Sequence, residues 1–251
     1  MPAEAPLAIP ADSRFILAAA RVPAELVLEP PAGAFRDAEG ALLLDVLIDH
    51  GKVAGLFAGG AGPKDGFRVK MDGRQLWPAL IDMHTHLDCG QAIPRVRPDG
   101  TIHGGFSQTA ADWPHWTNED MTLRMEFGIS CAHVHGVAAI RTHVDSETLA
   151  LSRQGYRAFE QLRQKWARRV ELQAVTIAAM EAWIGEEACE LADLTASKGG
   201  ILGGVTDTLE RGENGTYDTL DHALDRLFAL AKERGLDVDL HVDQTLSLIH
   251  I

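Results

Sequence analysis

The chain has no apolar run approaching the roughly 20 residues that a membrane-crossing helix needs, and its first residues, Met1-Pro2-Ala3-Glu4-Ala5-Pro6, lack the basic segment and apolar core of a secretory signal. Its cysteines, Cys89, Cys131 and Cys189, are widely spaced and form no paired motif, which fits free thiols in a reducing compartment. Together these absences lead to the expectation of a cytoplasmic protein with no membrane partner. Excess basic charge is also missing: the formal net charge of -13 argues against a nucleic-acid surface and otherwise serves solubility. No Gly-x-Gly-x-x-Gly turn follows a strand-like run, which argues against a dinucleotide-binding unit. What remains is an ordinary globular composition, 46% hydrophobic and 24% charged, at a length of 251 residues that suits one large domain or two small ones.

The pattern changes along the chain. Residues 1 to about 12 are rich in proline and alanine and read as a loose arm. From Phe15 to Trp77 strands alternate with turns: Ala41 to Ile48 and Val53 to Phe57 are strand-like and flank the turn Asp49-His50-Gly51-Lys52. His50 is read as a turn residue. After Asp88 the stretch from Cys89 to Trp116 is irregular and interrupted by Pro94, Pro98, Gly104 and Gly105. Its position after a strand makes it a candidate substrate loop, with Phe106, Gln108, Trp113 and Trp116 available to face a ring. Then the rhythm becomes regular. Thr117 caps a helix to about Ala132, with Asp120 completing an approximate capping box. Strand-like runs at Val137–Thr142, Glu171–Ile177, Ile201–Val205 and Val238–Val242 alternate with helical patterns. One helix carries Tyr156, Phe159, Leu162 and Trp166; a second runs from Trp183 to Lys198; a third carries Leu220, Leu224, Leu227 and Ala231. Such alternation predicts right-handed βαβ units around a parallel sheet.

The chemistry concentrates in Pro78-Ala79-Leu80-Ile81-Asp82-Met83-His84-Thr85-His86-Leu87-Asp88. The run from Ala79 to Met83 reads as a short buried strand. Residues at i and i+2 of a strand point to one face, so His84 and His86 can close on a single metal ion. The carboxyl end of such a strand is where parallel barrels build their sites. A second pair, His133 and His135, falls at a helix end, where i and i+2 diverge, and is not read as a ligand pair.

This stretch resembles the first barrel strand of the amidohydrolase superfamily, and His-x-His-Leu-Asp is similar to its cytosine deaminase-like branch. The resemblance extends over most of residues 78 to 245, including Arg141-Thr142-His143-Val144-Asp145 and His241-Val242-Asp243-Gln244. It implies an α/β fold: a partial (β/α)8 TIM-type barrel over residues 78–245, holding the first five strands, preceded by part of a small β-sandwich over residues 1–77. It also implies one divalent metal ion, Zn or Fe, on His84, His86 and His241, with His143 and Asp145 orienting those ligands. Asp88 is a further catalytic candidate. The implied activity is hydrolysis of a C–N bond in a cyclic amidine or amide, with cytosine deaminase-like deamination through metal-bound hydroxide as the leading form. The partner is then a small cyclic amine or amide, and a homo-oligomer is open for the full-length protein. Binuclear members carry a bridging lysine at the end of the fourth strand; here that place holds Gly203-Gly204-Val205, which favours a single ion.

The pattern has departures. Gln244 stands where cytosine deaminases have a proton-shuttling glutamate, and an amide cannot exchange a proton at neutral pH. Ala179 stands where they have a substrate-reading glutamine. Both count against cytosine itself and keep a ring-opening cyclic amide hydrolase in view. The family's strand 6 histidine and strand 8 aspartate are expected beyond Thr245. Residues 246–251, Leu246 to Ile251, match the in-frame translation of a sequencing-transposon adaptor. They are expected to be adaptor-encoded, which removes His250 as a ligand and makes the 251-residue chain by itself a catalytically inactive fragment.

Overall fold

The computed structural model describes residues 9–10, 14–97, 99–206 and 218–242, in two compact units, Met1–Pro78 and Ala79–Ile251. In the first unit the strands are β1 (Arg14–Pro23), β2 (Phe35–Arg36), β3 (Ala41–Asp49), β4 (Lys52–Ala58) and β5 (Phe67–Lys70). They form one sheet in the order β2-β3-β1-β5, with β4 also pairing on β3. Among the described residues these strands make one hydrogen-bonded sheet. The centre is β3, whose Leu42, Leu44 and Val46 are buried against Leu17, Ala20, Val22, Val69 and Met71. As expected of a turn residue, His50 sits between β3 and β4 with φ of 49° and contacts Asp49.

One buried carboxylate organises this sheet. The pairing of β1 with β3 slips between Leu17 and Ala20, and Ala19 in that bulge has a left-handed φ of 56°. Asp45 on β3 accepts the Ala19 N–H at 3.0 Å and the Gly60 N–H at 3.2 Å on one oxygen. Its other oxygen accepts Gly62 N–H at 3.2 Å and the Arg68 guanidinium at 2.7 Å. At Gly62 a Cβ would lie 2.9 Å from Asp45, so only glycine lets the turn close on the carboxylate. Burial alone would push the Asp45 pKa up. The Ala19 N–H and Arg68 outweigh it, and the group stays below its ordinary value.

In the second unit the strands are β6 (Leu80–Thr85), β7 (Val137–Asp145), β8 (Glu171–Ile177), β9 (Ile201–Val205) and β10 (Val238–His241). All pair in parallel, in the order β10-β9-β8-β7-β6. The helices are α1 (Ile102–Asp112), α2 (Asn118–Val134), α3 (Leu149–Trp166), α4 (Ala188–Ser197) and α5 (Asp218–Arg234). The periodic face of α3, Tyr156, Phe159, Leu162 and Trp166, is buried with Met121, Met125 and Ile129 of α2 and with Ile140 and Leu172. A second cluster joins Trp183, Leu191, Leu202, Leu227 and Leu230. Thr117 caps α2 by accepting the Asp120 N–H at 3.1 Å. No helix among the described residues is long and apolar enough to cross a membrane.

Three expectations change. The first barrel strand is not buried: Leu80, Ile81 and Met83 are 56%, 66% and 64% exposed, because β6 is an edge strand with a ladder to β7 alone. The segment 89–116 is not wholly irregular. Thr101 accepts the Gly104 N–H and caps α1, which runs into a short 3-10 turn at Trp113–His115. The helix expected from Trp183 starts later. Met180–Trp183 is a 3-10 turn, and α4 begins only at Ala188, past Gly185.

Replacing Asp45 by asparagine should destabilise the first unit by about 1–3 kcal/mol, the range for a buried acceptor whose charged bond is weakened. Because the folded pKa lies below the unfolded one of about 3.9, the carboxylate's contribution is present above that value and is lost as pH falls through the folded pKa. Urea unfolding of Asp45→Asn followed from pH 7 to pH 2 should therefore lack part of the wild-type acid loss. Identical acid limbs would count against this account.

Candidate metal centre

Parallel strands bring all their carboxyl ends to one side of the sheet. There β6 presents His84 and, just past its end, His86; β7 presents His143; β10 ends at His241. β6 and β10 are the opposite edges of the sheet, yet His86 Nε2 and His241 Nε2 lie 3.2 Å apart. The sheet is curled far enough for its two edges to meet at this end. One ligand atom from each of His84, His86, His143 and His241 falls within 4.8 Å of the others. The ring centroids are 4.3 to 5.3 Å apart.

The electrostatics suit a cation. Burial, then the neighbouring imidazoles, pushes the His86 pKa down to about 3 and the His241 pKa to about 4; burial also lowers His143. These three rings are neutral at pH 7, with lone pairs available. His143 Nε2 and His241 Nδ1 are buried without a hydrogen-bond partner. His143 Nδ1 faces the Thr85 carbonyl at 3.4 Å, and Nε2 lies 3.7 Å from Asp239 Oδ1. Buried imidazole nitrogens left without partners are costly unless something electrophilic sits between them. A divalent ion with nitrogen preference meets that requirement, so the residues fit the group.

The neighbouring cavity has a volume of about 390 Å³ and is lined by His86, Phe106, Ser107, Thr109, Ala110, Trp113, Asp145, Glu147, Ile177, Ala178 and Val205. Trp113 Nε1–H donates to Asp145 Oδ2 at 3.1 Å. Burial, then the charges of Asp88 and Glu147, raises the Asp145 pKa to about 7. Burial also raises Glu147. Behind them Asp88 is fully buried and accepts the N–H groups of Asp145 at 2.7 Å and Cys89 at 2.9 Å. Arg124 donates to the Asp88 carbonyl and to that of Gly90. Asp88 thus ties the end of β6 to the end of β7 and does not line the cavity. Cys89 lies beside it as a packing residue, its thiol pKa raised well above the ordinary value by burial and by Asp88.

Of the ring-facing candidates, Phe106 and Trp113 line the cavity. Gln108 is exposed and does not, and Trp116 is buried, donating to Asp112 under Arg124. Gln244 lies outside the described residues. His133 and His135 diverge, the first against the Trp166 ring and the second onto the Cys131 carbonyl. Lys198 pairs with Glu160. At Gly203 a Cβ would come within 2.6 Å of Val175 and 2.8 Å of two backbone oxygens; at Gly204, within 2.6 Å of Met180. β9 therefore has no room for a side chain there, least of all lysine. Sequence reasoning missed Glu147, Ser107 and Thr109. The signal for Glu147 was its place two residues past the end of a parallel strand.

No protein-family model matches the chain. It is 33% identical over 241 residues to a pterin deaminase of Rhizobium rhizogenes, covering 94% of this chain and 52% of that protein. Over 187 residues it is 27% identical to an N-isopropylammelide isopropyl amidohydrolase of a Pseudomonas species, covering 69% of this chain and 43% of that protein. Among solved structures, the 5-methylcytosine deaminase from Klebsiella pneumoniae liganded with 5-fluorocytosine superposes with a TM-score of 0.72 at 23% identity, covering 92% of this chain and 51% of that one. That likeness is one of fold. The chain spans about half the length of the curated relatives it matches.

The Asp88 charge is one cause of the raised Asp145 pKa, so Asp88→Asn, which keeps an acceptor for the Asp145 N–H, should bring that pKa down from about 7. A carboxyl-carbon NMR titration of the metal-free protein reads the shift; an unmoved or higher Asp145 pKa would contradict the assignment. Asp88→Ala, which also strands a buried N–H, should cost about 1–3 kcal/mol of stability.

Proposed function

The chain belongs to the amidohydrolase superfamily, in its cytosine deaminase-like branch, and from that premise we propose that it serves a metal-dependent hydrolase that cleaves a C–N bond of an amino-substituted ring and releases ammonia. The observation that carries this reading is the four-imidazole cluster at the carboxyl ends of parallel strands, opening on a cavity of about 390 Å³. That volume is within the usual range for small-molecule sites.

In this reading His84, His86 and His241 hold one divalent ion, zinc or iron. Such an ion, when bound, supplies Lewis acidity and brings the pKa of water toward neutrality. The chain's own residues do the rest. His143 packs against all three ligands and orients them from the Thr85 carbonyl. Phe106 and Trp113 offer faces for a planar ring and displace water from it. Asp145, with a pKa of about 7, holds or releases a proton at its carboxyl oxygens within the working pH range, fixed by the Trp113 N–H. The amide of Gln244 cannot exchange a proton at neutral pH.

A pterin-type ring is the favoured substrate class, because the relative of that activity is similar across 94% of this chain. Ala179 and Gln244 count against cytosine. Gln244 also supports a second reading, opening of a cyclic amide without release of ammonia.

Two measurements test this. The metal-loaded protein should carry one divalent ion per chain. Replacing His84, His86 or His241 by alanine should abolish stoichiometric binding, whereas His143→Gln should weaken it by about 10–100-fold. Protein expressed from its complete reading frame should release ammonia from pterin, lose that activity to a chelator and regain it with zinc or iron. Loss of ring absorbance from a cyclic amide without ammonia would favour the second reading, and inertness toward both ring classes would sink the proposal.

A further inference from the structure

We propose that Glu147 is a specificity-determining residue that accepts the N–H edge of an uncharged or cationic amidine-bearing ring. The inference rests on the hydrolase reading above. Glu147 lies in the loop of residues 146–148 between β7 and α3, and this loop is fixed on both sides. Ser146 N–H donates to the Ile177 carbonyl at 2.8 Å, and its hydroxyl to the Val144 carbonyl at 2.8 Å. Thr148 caps α3 by accepting the Leu151 N–H at 3.2 Å. The Glu147 side chain is pinned in turn: its Oε1 accepts the Ala179 N–H at 3.0 Å, just past the end of β8. A carboxylate offers about four lone-pair sites, so one backbone N–H holds it in place without exhausting its capacity to accept from a ligand.

Within the cavity no basic side chain competes for Glu147. The cavity's ionisable side chains are His86, Asp145 and Glu147, and no lysine or arginine is among the lining residues. Asp145 is held by the Trp113 N–H, on an aromatic wall against which a ring can stack. A planar ring with adjacent ring N–H and exocyclic amino donors presents two parallel N–H bonds to a carboxylate, the geometry that makes such pairs strong and selective.

Calorimetric titration of the metal-loaded protein tests the idea with two probes: 2-amino-4-oxopyrimidine and its 2-methyl counterpart lacking the amino donor. Wild type should prefer the first. Glu147→Gln and Glu147→Ala should weaken its binding by about 10- to 100-fold and leave the 2-methyl ring unchanged. Thermal unfolding confirms that the variants fold, and Glu147→Asp, which keeps the charge and withdraws it by one methylene, supplies an intermediate case should the others not. Unchanged affinity in the variants, or no binding of the amino ring by wild type, overturns the inference. Ammonia release from amino rings that persists beside unchanged affinities would leave the hydrolase reading intact while removing Glu147 from it; absence of ammonia from every amino ring removes the hydrolase reading itself.

Discussion

The site depends on curvature. His86 and His241 belong to opposite edges of a parallel sheet, and their Nε2 atoms meet at 3.2 Å. A flat five-stranded sheet, with neighbours about 4.8 Å apart, would hold its edges far beyond the reach of two imidazoles. Close packing of the middle strands allows the curl. Gly203 and Gly204 leave β9 without side chains where Val175, Met180 and the backbones of β8 and β10 press on it, while Trp183 donates to the Gly203 carbonyl at 3.0 Å from the helical side. The apolar mass of α2 and α3 lies against β7 and β8, so helix packing braces the middle of the sheet.

Bringing four imidazoles together is unfavourable for the bare protein. Burial and mutual repulsion hold three of them neutral, and two ring nitrogens go without partners. Polar groups in that condition are retained where an external group completes them. The same arithmetic separates His143 from a packing histidine: it is fully buried, central to the cluster, and its one backbone contact is long at 3.4 Å.

Much of this was legible in the sequence, for reasons that differ by element. His84 and His86 were readable because strand periodicity alone places alternate residues on one face. The α3 face was readable because Tyr156, Phe159, Leu162 and Trp166 keep helical spacing, and the α2 start because a threonine cap has a local signature. α1 escaped because Gly104 and Gly105 in its first turn weaken propensity and its apolar pattern is shallow. The exposure of β6 escaped because apolar composition reports what a strand prefers to cover, not how many neighbours it has. His143 was recognisable as part of the centre, but its closeness to all three other rings, 4.3 to 4.9 Å between centroids, needs the curl of the sheet. Glu147 escaped because a lone acidic residue in a short loop looks like any solvated carboxylate until the end of β8 is placed beside it.

Three aspartates show how one side chain is assigned to fold or to chemistry by its surroundings. Asp45 is buried, yet three backbone N–H groups and Arg68 surround its oxygens, and it stays ionised. Its charge is a structural part of the first sheet. Asp88 is buried with two backbone N–H donors, while Arg124 donates to its carbonyl and not to its carboxylate; burial prevails and its pKa rises. Asp145 has the Trp113 indole and the Glu147 N–H as donors and two acidic neighbours, and its proton affinity reaches the neutral range. The difference lies in how deeply each carboxylate is desolvated and in the charges and donors around it, since burial and like charges favour the protonated form and donors oppose it. A site that handles protons at neutral pH needs an under-compensated carboxylate. This chain places one at the end of β7, two residues beyond a cluster histidine and on the wall of the cavity.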